Sequence, residues 1–249
     1  MKKTFLNSER AIITSMVIAK TPQRVKELTD KSVADGAEAI GMQFEHLLPE
    51  YRNKETYKEL LSYTDKPVYA TNYRSRYNEG KSDEVIAEEL LELAECGATL
   101  CDVIGDLYDK TPGEVTMNET AAAKQMELIR KLHEKGAEVL ISSHIMKFTP
   151  AEKVLEFALE YQRRGADIAK IVVGAETMEE QLENLKIINL LKEKLSIPFL
   201  FLSGGECHIL RRIGGEIGCV MYLAVHEHDE LAAPAQPLIK NVKAIRDNM

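Results

Sequence analysis

The chain has no basic excess, no paired cysteines and no long apolar run, and each lack removes a class of function. Among its 249 residues 40 are acidic and 32 basic, which leaves a net charge of −8. Nucleic acid and anionic membrane surfaces both call for a basic face, so neither is an expected partner. A small anionic substrate is compatible with this charge, provided that a pocket supplies local positive charge. The four cysteines, Cys96, Cys101, Cys207 and Cys219, form no C-x-x-C pair. They read as reduced thiols of a cytoplasmic protein, and Met1-Lys2-Lys3-Thr4 leads into no apolar segment of the signal-peptide kind. No apolar run approaches the ~20 residues of a membrane span. The absence of tryptophan excludes nothing. No stretch rich in Pro, Gly or Ser divides the chain, so one domain over 1–249 is expected.

What is there is alternation. Strand-like runs fall at Ala11–Ile18, Ala37–Phe44, Pro67–Tyr73, Thr99–Gly105, Ala137–Ser143, Asp167–Val173, Pro198–Leu202 and Gly218–Ala224. Amphipathic segments lie between them. Thr21-Pro22 opens one, Ser82-Asp83-Glu84 a second and Thr149-Pro150 a third, each an N-cap signature. Gly36, Gly97, Gly136 and Gly165 stand where helix C-caps are expected. Eight strands alternating with about eight helices over ~250 residues is the pattern of a (β/α)8 barrel, the TIM-barrel class. A doubly wound sheet would carry a glycine-rich turn after its first strand. Here that turn reads Ala19-Lys20-Thr21-Pro22, which favours the barrel.

Barrel enzymes place their chemistry at the C-terminal strand ends. Read in order, those positions hold Gln43 and Glu45, Arg74 and Glu79, Asp106, His144, Lys170, Ser203-Gly204-Gly205, and the stretch from His226 to Gln236. Lys170 is the most informative. It sits in Ile168-Ala169-Lys170-Ile171-Val172-Val173, where almost nothing nearby solvates an ammonium. Such a lysine is either paired or poised as a neutral amine that attacks a carbonyl. His144 ends the preceding strand and is suited to take the proton that a Schiff base acidifies. Arg211, beside Arg212, is a candidate bidentate holder of a substrate carboxylate. The pair His226 and His228 lacks a defined third ligand, so no metal site is expected.

Several segments resemble those of type I 3-dehydroquinate dehydratases. Ser142-Ser143-His144-Ile145-Met146-Lys147-Phe148-Thr149-Pro150 resembles the family's S-x-H-D-F-x-x-T-P. Gly165-Ala166-Asp167-Ile168-Ala169-Lys170-Ile171 is similar to its G-A-D-I-x-K-I. Arg211 to Cys219 resembles R-x-x-G-x-x-F-G-S, and Ala233-Pro234-Ala235-Gln236 resembles A-P-G-Q. The order holds from about Ala11 to the C-terminus. The resemblance implies a cofactor-free, homodimeric (β/α)8 lyase of the shikimate pathway. Lys170 would form an imine with the C3 ketone of 3-dehydroquinate, and His144 would move the proton. Glu79 would orient His144, Arg211 and Gln236 would hold the substrate carboxylate, and Arg74 would meet the ring hydroxyls.

The departures cluster on one side. The family's E-x-R-x-D reads Gly41-Met42-Gln43-Phe44-Glu45, so Gly41 and Gln43 replace the carboxylate and guanidinium that meet the hydroxyl end. Its R-x-x-x-E-G-G reads Arg74-Ser75-Arg76-Tyr77-Asn78-Glu79-Gly80, one residue longer, which leaves Arg74 and Arg76 as alternatives. Its acidic D-x-E reads Asp102-Val103-Ile104, and the loop serine is Ala232. Relaxed or redirected selectivity is the expected consequence. Two rivals remain. One is another Schiff-base lyase or aldolase on a different cyclic keto acid, with Ser203-Gly204-Gly205 as a phosphate seat. The other is a degenerate, non-catalytic barrel.

Overall fold

A computed structural model describes residues 3–6 and 8–249. Eight parallel strands run in chain order: β1 Ile12–Val17, β2 Ala39–Gln43, β3 Val68–Thr71, β4 Leu100–Ile104, β5 Glu138–His144, β6 Ile168–Gly174, β7 Phe199–Gly204 and β8 Met221–Ala224. They alternate with α1 Pro22–Ala34, α2 Lys54–Ser62, α3 Asp83–Glu95, α4 Glu119–Glu134, α5 Ala151–Arg163, α6 Met178–Lys194, α7 Leu210–Ile217 and α8 Ile239–Asp247. From β1 to β7 each strand pairs with the next in sequence, and β1 pairs with β8. The β7 side is joined through Val220, whose N–H donates to Phe199 O at 2.9 Å while its carbonyl accepts from Ile12 N. The architecture is the expected (β/α)8 barrel. No described helix is long and apolar enough to cross a membrane.

The strand candidates agree with the structure to within a few residues at each end, because a strand buried on both faces reads as an unbroken apolar run. Two of the three expected caps hold: the Thr21 side chain accepts from Arg24 N and that of Ser82 from Val85 N. The third does not. Pro150 occupies the N-cap of α5, and Thr149, one residue too early, donates its hydroxyl to Lys147 O instead.

Register decides which side chains share the barrel interior. Ile104 of β4 lies beside Ser142 of β5, Ser142 beside Lys170 of β6, and Lys170 beside Leu200 of β7. Residues level with one another in parallel strands point the same way, as do residues two apart on one strand. Ser142, His144 and Lys170 therefore face inward together, with His144 one step nearer the C-terminal rim.

The long connection from β4 to α4 folds back over that rim. Gly105 permits it: a Cβ there would stand 2.5 Å from Tyr161 Oη and 2.6 Å from Glu114 O. Arg164, 1% exposed, holds the connection from below. Its guanidinium donates to Gly105 O at 3.0 Å, to Gln125 Oε1 at 2.9 Å, to Thr116 O, and to Glu160 Oε1 at 2.7 Å. A lysine ammonium cannot span these acceptors at once. Arg164→Lys is therefore expected to lower stability to urea by about 3 kcal/mol, the scale of a broken buried ion pair. An unchanged unfolding midpoint would show that the loop is held by other means.

Candidate active site

Lys170 is 4% exposed, and the group that answers its charge is on β4. Its Nζ donates to Tyr73 Oη at 2.8 Å, to Tyr69 Oη at 3.1 Å and to Asp102 Oδ2 at 3.3 Å. Both tyrosine hydroxyls donate to the same Oδ2, and Ser142 Oγ donates to Oδ1. Burial, and then the Asp102 charge, push both phenols well above their ordinary range, so each stays a neutral hydroxyl. The lysine is thus paired, but through a shared carboxylate rather than by simple contact.

His144 is oriented by a residue that the sequence did not single out. Its Nδ1 lies 2.6 Å from Glu114 Oε2. A carboxylate accepts, so Nδ1 carries a proton, which leaves Nε2 as the nitrogen that holds the lone pair whenever the ring is neutral. The Tyr73 ring stands edge-on to the imidazole, with centroids 5.4 Å apart. Tyr73 thereby touches both reactive side chains. Glu79, expected to orient His144, is exposed at the end of the turn Arg76–Asn78. The extra residue after Arg74 belongs to that turn, and the β4 loop supplies the carboxylate instead. Thr111-Pro112-Gly113-Glu114 marks a turn beyond a strand end, but nothing in it says where Glu114 points. Gly113 and Glu114 both adopt positive φ, 86° and 60°.

Arg74 also needs correction. Its Nε and Nη2 meet the Asp83 carboxylate at 2.7 and 2.8 Å, while Nη1 and Nη2 meet Asp106 Oδ1 and O. With four of its five N–H groups engaged it ties the β3 loop to the β4 loop, which is not the role the resemblance assigns to it. Arg76, the alternative, is exposed. Gln43 ends β2, half-buried and level with Thr71. Gly41 explains its own departure: a Cβ there would lie 2.4 Å from Met16 Sδ and 3.2 Å from Tyr69 Cδ1. The space that a side chain at 41 would use holds Tyr69 and Met16.

The opposite side keeps a free cation. Arg211, at the start of α7, is half-buried, and its Nε donates to Ser203 O at 2.9 Å. It faces no carboxylate among the described residues, and burial alone lowers its pKa to about 10. Arg212 is exposed. Gln236, 7% exposed in the loop after β8, has an Oε1 with no hydrogen-bond partner among the described residues. His226 meets Asp35 at 2.7 Å and His228 meets Gln236 O at 2.8 Å. A groove of about 570 Å³ between α3 and α4, lined by Ala87, Leu91, Tyr108 and Leu128, lies away from all these groups. Chemistry rather than cavity size selects the strand ends.

A buried amine with an oriented histidine on the next strand defines the class: a (β/α)8 barrel equipped for carbonyl chemistry at its C-terminal rim. The chain belongs to the type I 3-dehydroquinase family, whose sequence model matches residues 13–249. It is 27% identical to a 3-dehydroquinate dehydratase of Geobacillus thermodenitrificans over 98% of this chain and 93% of that one. With the Methanosarcina acetivorans enzyme of that name the figures are 28%, 93% and 93%. The match to the Alkaliphilus oremlandii enzyme, at 34%, spans 47% of either chain. The Clostridium difficile type I 3-dehydroquinate dehydratase, solved with covalently modified comenic acid, superposes with a TM-score of 0.79 at 20% identity, over 98% of this chain and 94% of that one. The Geobacillus kaustophilus structure gives 0.80 at 17%, over 99% and 95%. At such identities these structures speak for the fold.

Glu45, just past β2, is 1% exposed, and Thr71 Oγ1 donates to its two oxygens at 3.0 and 3.2 Å. Burial pushes its pKa from 4.5 up to about 7. Between these values the folded state holds a proton that the unfolded chain has released, so stability is full below about 4.5 and falls as pH rises towards 7. The sum is about 3 kcal/mol. Glu45→Gln keeps an acceptor for Thr71 and removes the titration. The urea stability of the variant relative to wild type should rise by about that amount from pH 4.5 to pH 8, and a pH-independent difference would show that Glu45 stays ionised.

Proposed function

We propose that the protein dehydrates 3-dehydroquinate to 3-dehydroshikimate through an imine on Lys170, as a hydro-lyase of the shikimate pathway. The observation that carries this is the buried Lys170 amine beside a His144–Glu114 pair on the adjacent strand. The neutral amine attacks the C3 ketone and water leaves. The protonated imine then draws electrons from C2, so His144 Nε2 removes a C2 proton and gives an enamine. His144 returns that proton to the C1 hydroxyl, which departs as water, and hydrolysis of the imine frees the product. Glu114 fixes the ring and stabilises the imidazolium. Arg211 and Gln236 clamp the carboxylate, and Gln43 borders the hydroxyl end. The reading takes the chain as one cytoplasmic domain, 1–249, from its composition and cysteine usage, and as a homodimer without a cofactor, as the family resemblance implies.

A second reading keeps the imine and changes the substrate to a related cyclic keto acid. It is favoured by Tyr69 in the space beside Gly41 and by the occupied guanidinium of Arg74. Incubation with 3-dehydroquinate and borohydride should add the mass of a reduced imine at Lys170, alongside turnover. No adduct and no turnover sinks the first reading, and an adduct with another cyclic keto acid alone selects the second.

The two carboxylates proposed for His144 separate by mutation. Glu114→Gln should lower kcat by about 100-fold, the scale of general acid–base assistance, and Glu79→Gln should leave it within about two-fold. The reverse order would restore Glu79 to the histidine.

A further inference from the structure

A lysine beside a carboxylate is an ammonium, and an ammonium does not attack a ketone. Lys170 must lose a proton, and its described partners are Tyr69, Tyr73 and Asp102. The direct route to Asp102 Oδ2 spans 3.3 Å, while Tyr73 Oη lies 2.8 Å from Nζ and is itself bonded to Oδ2. A phenol has one hydrogen, and an ionised carboxylate can only accept. The Tyr73 hydrogen therefore points at Asp102, and a lone pair faces the lysine. Tyr69 makes a similar bridge, but its donor distance is 3.1 Å and it is fully buried beneath Gly41. Tyr73 is half-buried on the His144 side, where a substrate arrives.

We propose that Tyr73 is a catalytic residue whose hydroxyl carries a proton between Lys170 and Asp102. Nζ passes a proton to Tyr73 Oη as the tyrosine proton passes to Asp102 Oδ2. Lysine becomes a neutral amine, Asp102 a neutral acid, and Tyr73 remains a hydroxyl throughout. The amine then attacks the ketone carbon, and the carbonyl oxygen becomes the carbinolamine hydroxyl. The stored proton returns through Tyr73 as the C–O bond breaks and the oxygen leaves as water. Ammonium plus ketone yields protonated imine plus water, so no outside proton is needed. Tyr69 and Ser142, which donate to the two Asp102 oxygens, are positioning residues. Glu45, one of the charges felt by Tyr69, has its pKa pushed up to about 7 by burial.

The inference rests on the Schiff-base reading of Lys170 but not on the substrate. Its test uses a simple 1,3-diketone, acetylacetone, which forms an ultraviolet-absorbing enaminone with a neutral lysine. The adduct is mapped by mass, with Lys170→Ala as the blank. Tyr73→Phe should slow labelling about 100-fold, with the final extent unchanged, and Tyr69→Phe should slow it by less than about ten-fold. Labelling of Tyr73→Phe at the wild-type rate overturns the relay. Wild-type protein gives an independent check in mixtures of light and heavy water. Two protons moving together bend the plot of rate against deuterium fraction, and a straight line overturns the proposal. If 3-dehydroquinate is not turned over while diketone labelling depends on Tyr73, the dehydratase reading fails and the relay stands. If 3-dehydroquinate is turned over while labelling is indifferent to Tyr73, the relay fails and the dehydratase reading stands.

Discussion

The Asp102 carboxylate is the group on which the site depends. It is buried on β4 and accepts from Tyr69, Tyr73, Ser142 and Lys170, side chains carried by β3, the segment just beyond it, β5 and β6. An isolated carboxylate in such a place would be costly, and so would an isolated ammonium. Together, with hydroxyls filling the remaining lone pairs, they satisfy one another. This arrangement sets the depth at which the lysine can sit. It also sets the inward direction of Tyr73, and through that ring the edge against which His144 packs.

The same arrangement accounts for the one-sided divergence of the pocket. Tyr69, which bonds Asp102, packs with Met16 into the space that a side chain at position 41 would need, and Gly41 leaves that space to them. On the next loop, Arg74 is held between Asp83 and Asp106, which fastens the β3 and β4 connections together. Groups that the resemblance assigns to ring hydroxyls thus serve the barrel's own architecture here. Arg211, which the resemblance assigns to the substrate carboxylate, is not tied up in this way, since it faces no protein anion among the described residues.

How much of this was legible in the sequence follows from the range of each interaction. The strands were readable because burial on both faces writes a local pattern. Lys170 and His144 were readable because a polar residue breaks that pattern within one strand. Glu114 was not. It reaches His144 across 30 residues through two positive-φ positions, and neither periodicity nor composition records where such a turn points. Tyr73 was hidden for the opposite reason. A tyrosine at the end of a strand-like run looks like core, and its hydroxyl gains meaning only once the barrel brings β3, β4 and β6 around one interior. Glu79 was chosen by motif spacing, and one inserted residue put it on the surface.

The two cations of the proposed site differ in their partners, and the difference bears on the proposed substrate. Lys170 already has its counter-charge, so an added anion beside it would meet the Asp102 carboxylate and be repelled. A neutral carbonyl would not. Arg211 is desolvated with only a backbone carbonyl in return, so an anion there gains a full charge partner and a bidentate geometry. In the proposed reaction, where one molecule answers both, that molecule carries a carboxylate at one end and an uncharged ketone at the other. That polarity follows from which cation is paired. It holds whether the ring between the two ends bears the hydroxyls of 3-dehydroquinate or not.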